Sequence, residues 1–127
     1  MIWLPGRRTR SRDLTMSDHD AIAFGVLPLQ ISVSELRRVL ASCGLTPSTG
    51  DTHHVRVLEC EHFVFREDGN GSYLLSADAA TVEALLADAT RVSEALIKCR
   101  VRHSFEVYDH DDRLVRVFSF PGQGSLA

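Results

Sequence analysis

Two cysteines and two histidines, Cys60, His62, Cys99 and His103, are the side chains of this 127-residue chain best equipped for chemistry. Two thiolates with two imidazoles make a legitimate tetrahedral zinc set, and Cys60 and His62, two apart, share a face if the chain is extended there. The spacing argues against it. Structural zinc ligands usually come from tight knuckles such as Cys-x2-Cys, and neither Cys-x-His nor Cys-x3-His here forms one. Cys60 and Cys99 also lie in otherwise apolar stretches, where a thiol behaves as a small hydrophobe. The expectation is core thiols, partly exposed histidines, and neither a metal nor another cofactor.

The other groupings are weaker. Asp109-His110-Asp111-Asp112 could hold a hard cation or activate a water through His110, but a solvated turn, with Asp side chains bonding the backbone, is favoured. Asp68-Gly69-Asn70-Gly71 fails as a calcium loop, because from Asp68 the sixth position is Tyr73 and the twelfth Ala79. His53-His54 would point apart on an extended chain, which suits a surface loop. Glu59 and Glu61 share a face if extended, an arrangement that raises one carboxyl pKa, yet facing water is favoured for both. The chain contains no Gly-x-Ser-x-Gly, no phosphate-binding glycine loop and no His-Glu-x-x-His. An enzyme or ligand-binding function would need a pocket between sheet and helices, lined by His103, Cys60 and Glu106 or their neighbours.

Charge removes further classes. The formal net charge is −3, but four arginines and one acid lie in the first fifteen residues, so residues 16–127 hold 10 basic and 16 acidic groups, net −6. Phe63-x-Phe65 and Phe118-x-Phe120, near Arg66 and Arg116, have the spacing of base-stacking aromatics; the acidic body argues against RNA, and no nucleic-acid partner is expected. No run of eighteen apolar residues occurs, so no transmembrane helix or membrane partner is expected. Apolar Met1-Ile2-Trp3-Leu4 precedes Arg7-Arg8, the reverse of a secretory signal. Three cysteines do not make a disulfide framework, and the expected location is the cytoplasm. Thirteen Arg against one Lys is the composition of a GC-rich, bacterial genome.

These residues must be positioned by a single domain over 21–121. Residues 1–20 read as a disordered basic tail; in an alternative, 1–15 are a mis-assigned start, because Met16-Ser17-Asp18-His19-Asp20 would make an ordinary polar beginning. Residues 122–127 should fray. Ala21–Ile31 predicts a strand, placed at a sheet edge by Pro28. Ser32-Val33-Ser34-Glu35 is a capping box, with Ile31 and Leu36 at the staple positions, and Val33, Leu36, Val39, Leu40 and Cys43 keep helical spacing until Gly44. The spacing predicts a helix over 33–43, then a loop over 46–53. From His54 to Arg66 the apolar parity changes, so either one strand bends near Glu59–His62 or two short strands meet there. Asp68–Gly71 is a hairpin turn into a strand at 72–76. Asp78 is expected to cap a helix over 78–97, and strands at 100–108 and 113–120 follow.

This order suits an α+β fold: an antiparallel sheet of four to five strands with two helices on one face, in the order βαββαββ. A ferredoxin-like core plus a C-terminal strand accounts for it most economically; an αβββαββ roll is the competitor. In the last hairpin an odd loop would put Val115 and Val117 on the core face, and an even loop would bury Phe118 and Phe120 but carry Arg116 inward. Either register leaves apolar side chains on both faces, so the second face needs a cover. Loop 45–53 or the N-terminal segment could supply one; so could a homodimer or another protein partner. The expected function is therefore that of a small soluble, non-catalytic protein-interaction or regulatory domain. Its candidate surface is Tyr108, Asp109, His110, Asp111, Asp112, Arg116, Phe118 and Phe120.

Overall fold

A computed structural model describes residues 20–49, 53–69 and 71–121. The expectations for residues 1–19 and 122–127, and for Asn70 in the hairpin turn, lie outside the described residues. The elements are β1 (Ala21–Leu27), α1 (Val33–Ser42), β2 (His54–Arg56), a 3-10 turn at Leu58–Cys60, β3 (Phe63–Glu67), β4 (Tyr73–Ala79), α2 (Val82–Lys98), β5 (His103–Tyr108) and β6 (Leu114–Phe120). All strands join one antiparallel sheet in the order β2-β3-β4-β1-β5-β6. The class is α+β as expected, with six strands rather than four to five.

The inner strands β3-β4-β1-β5 form two interleaved βαβ units. β1-α1-β3 brackets β4, and β4-α2-β5 brackets β1. The αβββαββ alternative falls because β1 is central. Its predicted edge position was wrong for a simple reason: the strand ends at Leu27, so the missing N–H of Pro28 never enters the ladder. The parity change after His54 is the junction of two short strands through the 3-10 turn.

Both helices pack on one face of the sheet. Alternate strand residues, among them Ala23, Phe63, Phe65, Leu75, Phe105 and Val107, share a core with Leu36 and Leu40 of α1 and Leu85, Ala89, Val92 and Leu96 of α2. α1 starts at its capping box: the Glu35 amide donates to Ser32 Oγ at 3.1 Å, and the Ser32 amide to Glu35 Oε1 at 3.0 Å. It stops where Gly44 adopts φ +93 and the Leu45 amide reaches back to the Leu40 carbonyl, the αL stop expected there. α2 is capped by Thr81, whose hydroxyl accepts from the Ala84 amide, and not by Asp78, which belongs to β4. Leu45 enters the core and Pro47 bridges Val57, so the described part of the 45–53 loop closes the β2 edge.

Candidate functional site

The residues with the strongest chemical potential serve the core. His103 is buried with both ring nitrogens engaged: Nδ1–H donates to the Val101 carbonyl at 2.9 Å, which leaves Nε2 to accept the Ser93 hydroxyl at 2.8 Å. Burial lowers its pKa, so the imidazole is neutral. The expectation of a partly exposed histidine is corrected here, because β5 parity turns His103 inward beside Phe105 and Phe120. Cys60 lies against the Asp88 carbonyl, whereas Cys99 lies against Ser42 at the end of α1. Cys60, His62, Cys99 and His103 therefore do not converge, and among the described residues no three His, Cys, Asp or Glu side chains are grouped as a metal site requires. Burial pushes the Cys43 thiol up to about 12 and that of Cys60 to about 11, so neither is a ready nucleophile. The pocket sketched from His103, Cys60 and Glu106 does not assemble, since Glu106 lies on the opposite face of β5 from His103.

Glu59 and Glu61 are not an extended pair. The Glu59 carboxylate accepts the Thr46 hydroxyl and amide at 2.6 and 2.8 Å, and those bonds hold its pKa down. The acidic turn is likewise structural: Asp109 Oδ1 accepts the amides of Asp111 and Arg113, and Asp112 takes φ +62. A cleft of about 530 Å³ lies between the start of α1 and the β3–β4 turn. Three of its polar side chains are engaged in the fold: Ser32 and Glu35 close the capping box, and Tyr73 Oη donates to the Ile31 carbonyl at 2.8 Å.

The eight residues of the candidate interaction surface divide. The loop between Tyr108 and Leu114 is the odd one, but a β-bulge shifts the register so that Val107 pairs with Arg116, and past it β6 turns Phe118 inward, where it stacks on Phe105 at 5.0 Å, with Phe120 half-buried beside His103. Arg116 follows them and sits over the Phe118 ring at 4.8 Å. Phe118 and Phe120 are thus core-face residues rather than exposed contacts. Tyr108 remains on the helix-free face, where its hydroxyl donates to Glu106; that bond and burial push its pKa up to about 12.

The helix-free face contains residues that sequence reasoning passed over. β1 places Ala21, Ala23 and Gly25 under the helices and turns Ile22, Phe24 and Val26 outward, with Phe24 55% and Val26 37% exposed. Phe24 registers with Ser76 on β4 and Glu106 on β5, and Val26 with Leu74 and Ser104. Val64 of β3, and Leu114 and Val117 of β6, extend this apolar surface at 55% exposure for Leu114 and 37% for Val117. The signal was the alternation of small and bulky residues in Ala21–Leu27. It reads backwards if bulk is assumed to face inward.

A scan against protein-family models, a search of curated proteins and a search of solved structures each returned no match to this chain. Among the described residues, no helix is long and apolar enough to cross a membrane.

Proposed function

We propose that this chain is a non-catalytic protein-interaction domain that binds through the open face of its sheet. One observation supports the reading above the rest: a row of large apolar side chains centred on Phe24 faces away from both helices on the central strand of the sheet. An antiparallel sheet with one solvated face ordinarily alternates apolar-in and polar-out, and here the central strand does the opposite in bulk. The acidic turn at Asp109–Asp112 sits beside this face and supplies a polar rim. The free thiols of Cys43, Cys60 and Cys99 suit action in the cytoplasm.

Photo-crosslinking tests the surface directly. With a photoreactive phenylalanine analogue at position 24, a defined protein adduct should form in the native cell, and mass spectrometry should identify it as a copy of this chain or another protein. The same analogue at Glu94, on the exposed side of α2, should trap nothing specific. Equal adducts at both positions, or none at position 24, would overturn the reading.

A further inference from the structure

We infer that the partner on the open face is a second copy of this chain, docked sheet to sheet about a two-fold axis that runs along the strands between β4 and β1. This rests on the reading above that the open face is the binding surface, and names its occupant. The outward side chains form registered rows across the sheet. One row runs Arg56, Val64, Ser76, Phe24, Glu106, Val117, and the next carries Arg66, Leu74, Val26 and Ser104. Positive charge from Arg56 and Arg66 therefore lies on the β2–β3 side of the face and the Glu106 carboxylate on the β5 side, while the exposed Asp78 of β4 lies beside Ile22 one row away at the end of the face. Tyr108 holds the Glu106 carboxylate in place, and Arg66 has no ion pair with a described residue.

Of the two aligned ways to stack this face on itself about the Phe24 row, the one with its axis along the strands brings opposite charges together. An axis along the strands brings β3 of one copy over β5 of the other, so Arg66 lies one row, about 7 Å along the strands, from Glu106 of the partner subunit across a gap of about 10 Å between the sheets, which the two long side chains span. An axis across the strands through the Phe24 row would set Glu106 against Glu106 and Arg56 against Arg56, and like charges at an interface cost several kcal/mol. Shape points the same way: along the strand axis, Phe24 falls over small Ser76 of the partner subunit, and Leu74 over Val26. Strands about 4.8 Å apart, four of them about 20 Å long and β2 and β3 shorter, present roughly 500 Å² per copy, so about 1,000 Å² in all, the lower bound for a specific interface. The dimer is accordingly a concentration-dependent one.

Sedimentation equilibrium of the full chain from about 1 μM to about 1 mM should show monomer and dimer. Glu106→Arg and Arg66→Glu should each weaken association at least about tenfold. Mixing these two variants should restore a heterodimer, because one contact is then the native Arg66–Glu106 pair and the other the same pair with its charges exchanged, and the doubly reversed chain should dimerise again. Misfolded chains could not produce that recovery. A wild type that stays monomeric throughout, single variants that associate like wild type, or a mixture no better than its components would each overturn the inference. A monomeric wild type with a different protein crosslinked at position 24 would remove the homodimer and keep the binding surface, whereas no adduct at position 24 removes the surface itself.

Discussion

The neutral imidazole of His103 is held by one donor bond and one acceptor bond inside an aromatic cluster, and protonation would place a charge with no counter-ion in a desolvated site. Its folded pKa lies below the ordinary histidine value, so the unfolded chain binds the proton more readily. The stability this group contributes is complete above about pH 6.5 and is lost as pH falls from there through the lower folded pKa. Thermal unfolding between pH 7 and pH 5 should show a falling midpoint in the wild type. The double variant Ser93→Ala/His103→Phe, which keeps the volume and removes the polar pair, should lack that component. An identical slope in both proteins would exclude His103 as its source. Ser93 and His103 were not paired by sequence reasoning, because their meeting depends on α2 crossing β5.

Among the elements, β1 most reverses expectation. Its core face is built from Ala21, Ala23 and Gly25 because α2 packs directly over it, and Gly25 lies against the neighbouring strand. An added Cβ at Gly25 would meet the Ser104 carbonyl oxygen and the Phe105 side chain, neither free to withdraw from the ladder. Gly25→Ala should therefore cost about 1–3 kcal/mol by overpacking, read as a lower denaturation midpoint in urea. An unchanged midpoint would refute the close approach. Other elements were legible locally. Ser32-Val33-Ser34-Glu35 marked the start of α1 and Gly44 its end, since caps depend on bonds within a few residues. Asp78 misled as a cap because Ala77 and Ala79 continue the β4 alternation, and only the ladder to β1 reveals it.

For the whole molecule, the decisive property is asymmetry: two helices on one face of a six-stranded sheet, and an apolar surface on the other. The two faces should respond differently to truncation. Phe105→Ala, in the shared core against Phe63 and Phe118, should destabilise by about 3–5 kcal/mol. Phe24→Thr, which keeps strand propensity, should change monomer stability by about 1 kcal/mol or less while abolishing association. Calorimetry at high dilution checks both; a large loss from Phe24→Thr there would mean that the open face is covered within the monomer.

Local chemistry in the chain determined the capping box and the stop of α1, the polar turns and the α+β class. Those features depend on short-range periodicity and on side chains bonding their own backbone, which one sequence displays. Tertiary structure decided which strand is central, which side of β1 meets the helices, and that His103 and Ser93 satisfy each other in the core. It also moved the candidate surface from the phenylalanines of β6 to Phe24 and its neighbours. Strand order and the sense of burial are set by pairing across long sequence separations and by how closely α2 can approach, and alternation along a single strand carries no sign of either.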